Sequence, residues 1–381
     1  MMYQTYNPHK SYDENIKSGK PFEGDIPDFS LIPHKYDLFG HKLMTLTGVP
    51  AGTLPNADYI ITMAHLGASI PTYKTVRVVH RNCLPFPNCV AVDLNRQLSE
   101  TDIGARAIAL PQYRPDTENL TITNSFGMPS LPADEWSGDI EKANKNLLPG
   151  QVMIVSVVGT PNDNAADMQA DLINDYAVCA ARAREAGAKI IELNFSCPNV
   201  RKDLGSIYQD ETLSANIVAA VKKAVPNIPV LIKVGYMSDM EKLRTVMKAV
   251  TNAGVDGIVG INTIPMKVYN ADNTTLPLPG RETSGLCGFA ISDLSENFTK
   301  MMLKVREQEG MHIKIGSCGG ITSPAAFQKR LDLGADFALS ATASMFNPML
   351  FKEYIDTYVR PQTITRGGNL PKTTPQFRIR Y

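Results

Sequence analysis

Residues 184–194 have the sequence REAGAKIIELN, and the pattern in this segment predicts the fold. It starts as the end of a helical pattern, stops at Gly187, and continues at once as a run of apolar and β-branched residues. The same order of helix, glycine and strand returns at Gly254 and at Gly334. A chain that alternates helices with strands builds a parallel sheet, because each helix returns the chain to the starting edge.

Periodicity extends this pattern over most of the chain. Strand-like runs are predicted at residues 43–47, 59–63, 120–123, 153–158, 190–194, 230–234, 257–262, 313–316 and 337–340. Helices are predicted at residues 166–186, 213–224, 240–253, 294–309, 325–333 and 348–358. Eight strands, once one run is set aside as a hairpin piece, favour a (β/α)8 TIM barrel with inserted loops. The predicted organisation is an N-terminal extension (1–35), the barrel (36–360) and a C-terminal tail (361–381).

Composition excludes several classes of protein. The 381 residues are 43% hydrophobic, and 38 basic side chains balance 38 acidic ones. A nucleic-acid partner is not expected without a basic excess, and no apolar run is long enough for a membrane helix. The start of the chain does not resemble a signal peptide, so we expect a cytoplasmic protein with reduced thiols. The six cysteines and six histidines show no metal-ligand spacing, so no metal site is expected.

Polar residues follow the predicted strands, where barrel enzymes place their active sites. Lys233 ends an apolar strand, and a buried lysine requires an anionic or electron-rich partner; alternatively it leans out to solvent. Cys197 lies in a loop and could act as a base, although a small buried thiol is the plainer interpretation. Four amides fall at the same rim and suit a planar ring that carries C=O and N–H groups, although a single asparagine is more often a turn residue. These amides are Asn124, Asn194, Asn199 and Asn262.

Two loops near the end of the chain predict an anion site. Gly319 and Gly320 are expected to open one helix, and Ala341 and Thr342 to open another. Backbone N–H groups at helix starts bind phosphate, and barrels often hold a phosphate between their last two loops. A glycine pair alone would indicate a tight turn, but the second loop favours a phosphorylated ligand.

Several motifs resemble those of the dihydroorotate dehydrogenases, which are flavin barrels of pyrimidine biosynthesis. Residues 192–199 (ELNFSCPN) resemble their active-site loop, and residues 124–129 (NSFGMP) resemble the segment that helps to hold the pyrimidine. Further blocks match in order at residues 261–263 (INT), 285–288 (GLCG) and 318–321 (CGGI). The resemblance covers residues 40 to 355. A cysteine in the ELNFSCPN loop is typical of the soluble branch, whereas the quinone-linked branch has serine there.

The resemblance implies an FMN cofactor and FMN-dependent oxidation of (S)-dihydroorotate to orotate in UMP synthesis. Cys197 would remove the C5 proton while C6 gives hydride to flavin N5, and Lys233 would stabilise the reduced flavin. Lys74 is implied near both flavin and substrate. The implied substrate-binding residues are Asn124, Asn194, Asn199, Asn262 and Thr263. The implied cofactor-binding residues are Thr47, Gly48, Lys74, Asn194, Lys233, Ile261, Gly288, Gly319, Gly320, Ala341 and Thr342.

Three alternatives remain at this point. One is a dihydropyrimidine dehydrogenase-like flavoenzyme acting on uracil or thymine rings, and another is a flavin-binding subunit that relays electrons. The third is a flavin-free barrel that acts on a sugar phosphate. The electron acceptor could be fumarate, an NAD-linked partner subunit or a quinone. By analogy with soluble relatives, a homodimer is expected.

Overall fold

The strands form a closed barrel, a five-stranded sheet and a two-stranded hairpin. A computed structural model describes residues 5–18, 22–113, 116–196 and 206–360. Its strands are β1 Tyr36–Leu38, β2 His41–Leu43, β3 Thr47–Val49, β4 Ile70–Val76, β5 Cys89–Ala91, β6 Arg106–Ile108, β7 Thr121–Asn124, β8 Ile154–Val157, β9 Ile190–Asn194, β10 Val230–Val234, β11 Gly257–Gly260, β12 Ile264–Tyr269, β13 Thr283–Gly288, β14 Lys314–Cys318 and β15 Phe337–Leu339.

Helices follow most of the barrel strands. They are α1 Tyr12–Lys17, α2 Ala57–His65, α3 Ala133–Lys145, α4 Met168–Glu185, α5 Glu211–Ala224, α6 Met240–Asn252, α7 Ser292–Gln308, α8 Pro324–Asp332, α9 Thr342–Phe346 and α10 Leu350–Tyr354, the last continued by a π-helical turn at Ile355–Val359. Among these helices, none has the length and apolar character needed to cross a bilayer.

The barrel confirms the predicted fold class. Its strands follow one another around the ring in the order β3, β4, β8, β9, β10, β11, β14, β15, and β15 pairs with β3 to close it. All eight pairings are parallel. The carboxyl ends of the strands therefore meet at one rim, where a barrel enzyme holds its active site.

Local signals explain why the elements begin and end where they do. Asp167 caps α4 by accepting hydrogen bonds from the backbone N–H groups of Gln169 and Ala170. Gly187 adopts a φ of +94° directly after that helix, a conformation that favours glycine. Strand β9 follows within three residues and is fully buried, as its apolar run predicts.

Two predicted strands are wrong, and one barrel strand escaped prediction. The run 43–47 covers the connection between β2 and β3, and only its end residues Leu43 and Thr47 lie in strands. Residues 59–63 lie in helix α2, because Asn56 caps the helix by accepting from the N–H of Tyr59 at 3.3 Å. Nearly the whole of this helix is buried, so apolar residues surround it on all sides and no amphipathic period shows in the sequence. The missing strand is β4, whose Pro71 argues against a central strand.

The five-stranded sheet is built from two insertions in the barrel. Strands β5, β6 and β7 come from the connection between β4 and β8, and β12 and β13 come from the connection between β11 and β14. The predicted run 120–123 therefore belongs to this sheet, in β7, and not to the barrel. Its hydrogen-bonded neighbours are β5 and β13.

Apolar side chains fill the barrel interior. The β1–β2 hairpin adds Leu38 and Leu43 to this interior cluster and so packs against the barrel's lower layers. The barrel strands supply Ile70, Val152, Ile154, Ile190, Leu231, Val259, Cys318, Phe337 and Leu339. Polar groups in such an interior require a specific reason, because desolvation penalises them.

The single tryptophan of the chain, Trp136, lies on α3 outside the barrel. It is 1% exposed, and its indole Nε1 donates a hydrogen bond of 2.8 Å to the carbonyl oxygen of Arg77. Since Arg77 directly follows β4, this bond fixes α3 against the carboxyl end of that strand.

Candidate active site

A cavity opens at the carboxyl ends of the barrel strands and, together with the solvent at its mouth, holds about 830 Å³ of empty space. The barrel loops and the five-stranded sheet both line it. Its wall comprises Tyr6, Pro50, Ala51, Gly52, Thr53, Cys89, Ile122, Asn124, Phe126, Lys233, Asn262, Thr263, Cys287, Gly288, Ile291, Cys318, Gly319, Gly320, Ile321, Ala341, Thr342 and Met345.

Lys233 is the only charged side chain in this described wall. It lies in β10 and is 3% exposed, and its Nζ is 3.6 Å from the Sγ of Cys318 in β14, two strands along the barrel. Burial of an ammonium group beside a thiol leaves it poorly compensated. An anionic or electron-rich ligand in the cavity would supply the missing partner.

Glu192 provides the nearest opposite charge. It pairs in register with Leu231, whose side chain belongs to the interior cluster, so Glu192 also faces the barrel interior. The residue is fully buried, and neither carboxylate oxygen makes a hydrogen bond of good geometry within the described residues. Burial raises the pKa of Glu192, whereas the Lys233 ammonium acts in the opposite direction.

These neighbours determine the protonation state of Lys233. Burial alone opposes its positive charge, but Cys318 and Glu192 outweigh that effect, and the pKa of Lys233 lies above its ordinary value. Burial also raises the pKa of the Cys318 thiol, whereas the Lys233 ammonium acts in the opposite direction. The site therefore presents a cation at neutral pH.

Hydrogen bonds position two of the predicted amides. Asn194 ends β9, and its Nδ2 donates to Thr75 Oγ1 at 3.2 Å. Asn262 follows β11, and its Nδ2 donates to the Ser196 side chain at 3.0 Å and to the Ser196 carbonyl at 3.2 Å. The amide of Asn262 thus links the loops after β9 and β11.

Asn124 comes to the cavity from the five-stranded sheet. Its Nδ2 lies 3.3 Å from the carbonyl oxygen of Gly285 and 3.3 Å from Cys287 Sγ. Burial raises the pKa of Cys287 to about 11, so the thiol is neutral. This side of the wall offers uncharged hydrogen-bonding groups opposite the cation of the barrel.

The glycine pair lies in a turn and does not open a helix. Helix α8 begins at Pro324, capped by the Ser323 side chain, so that part of the sequence prediction is wrong. The reason is conformational, since Gly319 has a φ of +110° and Gly320 a φ of +67°. A Cβ on Gly320 would lie 2.3 Å from the Ser292 Cα, so the turn packs tightly against the start of α7.

Arg330 on α8 holds this turn. Its Nη2 donates to the Ser292 carbonyl at 2.8 Å and lies 3.4 Å from the Gly319 carbonyl oxygen. Its Nη1 is 3.4 Å from Glu296, a carboxylate on α7. This arginine is 1% exposed, so the guanidinium acts as an internal brace behind the cavity.

Ala341 and Thr342 begin α9 as the sequence predicts. The N–H groups of a helix's first turn have no partners within the helix. The Thr342 side chain is buried, and its Oγ1 makes no hydrogen bond of good geometry within the described residues. Together with the glycine turn, this helix start presents donors without shielding side chains.

The wall brings together nine of the residues that the sequence singles out. They are Asn124, Lys233, Asn262, Thr263, Gly288, Gly319, Gly320, Ala341 and Thr342. Five others are buried or half-buried nearby but do not form the wall: Thr47, Gly48, Lys74, Asn194 and Ile261. Gly48 has a structural reason to be glycine, since a Cβ there would lie 1.9 Å from the Ile70 carbonyl oxygen. Cys197 and Asn199 fall outside the described residues.

Sequence reasoning missed three residues of this region. Glu192 could have been noticed as a charge inside an apolar strand, in a motif already singled out. Arg330 lies on a helix whose pattern gives no sign that its guanidinium is buried. Tyr6 comes from a polar segment without periodicity, and nothing in the sequence places it at the cavity.

Comparisons with known proteins agree with this arrangement. The sequence model of the family described as Dihydroorotate dehydrogenase matches residues 108–359. The chain is 36% identical over 356 residues to Dihydroorotate dehydrogenase from Dictyostelium discoideum, covering 91% of this chain and 95% of that protein. It is 32% identical over 205 residues to Dihydroorotate dehydrogenase B (NAD(+)), catalytic subunit, from Oceanobacillus iheyensis, covering 53% of this chain and 64% of that one.

A solved structure has the same fold. The crystal structure of DHODH in complex with ferulenol from Eimeria tenella superposes with a TM-score of 0.68 at 18% identity, covering 92% of this chain and 89% of that chain. The family match covers barrel strands β8 to β15, and the alignment with the Dictyostelium relative covers 91% of the chain. This chain therefore belongs to the dihydroorotate dehydrogenase family, whose members are oxidoreductases acting on CH–CH groups.

Proposed function

We propose that this protein is an FMN-dependent enzyme that oxidises (S)-dihydroorotate to orotate in pyrimidine biosynthesis. The observation that carries the proposal is the buried Lys233 ammonium, which faces a cavity lined by amides at the carboxyl rim of the barrel. Membership of the dihydroorotate dehydrogenase family supports the choice of substrate. FMN would supply the acceptor for the hydride that leaves C6 of the ring.

The residues present fit an FMN molecule. The Thr342 hydroxyl, which makes no hydrogen bond of good geometry within the described residues, and the backbone of the Gly319–Gly320 turn would supply donors to a phosphate in the cavity wall. Lys233 supplies a positively charged ammonium group that can interact with the polar edge of a flavin.

The amides would orient the substrate ring. Asn124 and Asn262 reach the wall from opposite elements, the inserted sheet and the barrel. Each carries both a donor and an acceptor, which suits the C=O and N–H groups of a dihydropyrimidine. Thr263 adds a hydroxyl beside Asn262, and Asn194 and Asn199 would complete the set.

Cys197 would take the C5 proton. This assignment rests on the family's motif, residues 192–199, and on the position of the loop directly after β9. A thiol has a reference pKa of about 8.5, so its thiolate is accessible near neutral pH. Proton removal at C5 and hydride loss at C6 together leave the ring oxidised by two electrons.

Anaerobic mixing with dihydroorotate tests the proposal directly. The wild-type protein with bound FMN should lose its flavin absorbance on mixing, at a rate that rises with pH until the base has ionised. Cys197→Ala should retain FMN and bind orotate, yet reduce its flavin about 10² to 10⁴-fold more slowly.

Cys179→Ala is the matched control. This cysteine lies on α4, its Sγ is 3.6 Å from the Val76 carbonyl oxygen, and it is fully buried away from the wall. Its variant should reduce flavin at the wild-type rate. Wild-type protein that binds FMN but shows no bleaching with dihydroorotate would refute the substrate, and a fast Cys197→Ala variant would refute the base.

The electron acceptor remains among fumarate, an NAD-linked partner subunit and a quinone. Reoxidation of the bleached enzyme by each candidate ranks them. The homodimer and the cytoplasmic location stay predictions.

A further inference from the structure

Residues 5–18, here called the N-terminal segment, lie against the cavity. The Thr5 N–H donates to the Met345 carbonyl oxygen at 3.1 Å, which joins the segment to α9. Asn15 is 2% exposed, and its Nδ2 donates to the carbonyl oxygens of Asn7, Lys10 and Ser11. The Tyr59 hydroxyl on α2 donates to the Asn15 carbonyl oxygen at 3.2 Å. These bonds give the segment one fixed position.

Two tyrosines of the segment contact residues of the site. Tyr6 meets Phe126 edge to face with ring centroids 5.8 Å apart, and Tyr12 meets the same ring at 6.2 Å. The Lys74 Nζ lies 6.0 Å from the centre of the Tyr12 ring. Phe126 lies two residues after Asn124, so the segment packs on the loop that we propose to hold the substrate.

The Tyr6 hydroxyl is a buried donor without a partner. Tyr6 is 4% exposed and forms part of the cavity wall. Its hydroxyl makes no hydrogen bond within the described residues. Leaving a buried hydroxyl unsatisfied is unfavourable, so such a group on a residue of the cavity wall is expected to bind an acceptor there. Burial raises the pKa of Tyr6 far above its ordinary value, so the phenol remains a donor.

We propose that the Tyr6 hydroxyl donates a hydrogen bond to the dihydropyrimidine carboxylate or carbonyl, which makes the N-terminal segment part of the substrate site. This inference rests on the proposed function. Dihydroorotate and orotate are anions, and Lys233 is the only charged side chain in the described wall. An anionic ring therefore needs neutral donors, and Tyr6 provides one beside the Phe126 loop.

Tyr6→Phe tests the inference, because it removes the hydroxyl and keeps the ring packing on Phe126. Orotate affinity is measured by titration of the FMN-loaded protein, following the flavin spectrum. Because the variant loses a hydrogen bond to a charged acceptor, its orotate Kd should be roughly 10- to 100-fold higher than that of the wild type. FMN affinity and the melting temperature of the FMN-free protein should be unchanged or slightly higher, because an unsatisfied buried group is removed.

Tyr59→Phe is the matched control, since its hydroxyl bonds the segment and not the cavity. It should lower the melting temperature and leave the orotate Kd at the wild-type value. An unchanged orotate Kd in Tyr6→Phe overturns the inference, as does a loss confined to FMN affinity. If wild-type protein binds FMN but not orotate, the proposed substrate fails first, and the inference falls with it.

Discussion

Glu192 and Lys233 place two opposite charges inside an apolar barrel. Their charged groups are more than 4 Å apart, so Glu192 has no close cation. Its carboxylate also makes no hydrogen bond of good geometry in the described structure. Such a carboxylate destabilises the folded state when ionised, because desolvation exceeds the attraction at that distance. Its charge favours the cationic form of Lys233 beneath the cavity.

Glu192→Gln should make stability less dependent on pH. The folded-state pKa of Glu192 is raised, so between the unfolded value of about 4.3 and the folded value only the folded protein holds the proton. Wild-type stability therefore falls as pH rises through that interval, by at most about 1.4 kcal/mol per pH unit from this group. The variant's advantage in free energy of unfolding should grow from pH 4.5 to pH 8, measured by urea titration.

Glu309→Gln is the opposite control. Glu309 is paired with Arg244 and Lys248, and its pKa is lowered by hydrogen bonds to them. That carboxylate stabilises the fold above its unfolded pKa. The variant should therefore have a lower free energy of unfolding than the wild type at neutral pH, and the same value in acid. A pH-independent difference for Glu192→Gln would contradict its burial as the cause.

Among the secondary-structure elements, helix α9 carries two hydroxyl residues at its start that differ in role. One is proposed to bind the cofactor, and the other stabilises the fold. The Thr342 hydroxyl is buried beside the Cys287 thiol and makes no hydrogen bond of good geometry within the described residues. The Ser344 hydroxyl, in contrast, donates to the carbonyl oxygens of Ser340 at 2.9 Å and Ala341 at 2.8 Å. The first hydroxyl contributes little to the fold. The second stabilises the turn that enters the helix.

Thr342→Val should therefore weaken FMN binding by about 10- to 100-fold and leave the melting temperature of the FMN-free protein unchanged or higher. Ser344→Ala should lower that melting temperature and change FMN affinity little. Equilibrium titration of FMN into each FMN-free variant, with a thermal melt, gives both values. Equal FMN affinity in Thr342→Val and wild type would remove this hydroxyl from the phosphate site. Gly320→Val is a poorer test, since its Cβ would collide with Ser292.

The sequence predicts those elements whose signals are local. Strands β9 and β10 match their predicted bounds, because each is a short apolar run between a helix end and a polar loop. Helix α2 was misassigned because its residues are buried all round and rich in Ile, Thr and Tyr. In β4, a proline and a lysine interrupt the apolar run, and only the neighbouring strands β3 and β8 stabilise it there.

At the scale of the whole molecule, the five-stranded sheet could not be predicted from local pattern. Asn124 pairs in register with Gly285, and 161 residues separate them. Pairings over such a distance depend on the barrel that brings the two insertions together. The same is true of Tyr6, whose neighbours Phe126 and Met345 lie far along the chain. Most of the site residues that sequence reasoning found lie at the ends of barrel strands or just after them, whereas Asn124 and Gly288 lie in the five-stranded sheet.

Trp136 is an intrinsic fluorescence probe of this protein. All indole emission comes from one place, fixed by the bond to the Arg77 carbonyl beside the rim where we propose that FMN binds. Flavins absorb where tryptophan emits, so excitation energy should pass from the indole to the bound flavin. Titrating FMN into the FMN-free protein should quench the emission and saturate at one equivalent. Unfolding should instead shift the emission to longer wavelength, because the indole is 1% exposed when folded. The emission intensity would thus report cofactor occupancy, and the emission wavelength would report folding. Quenching that continues past one equivalent of FMN would contradict a single flavin site.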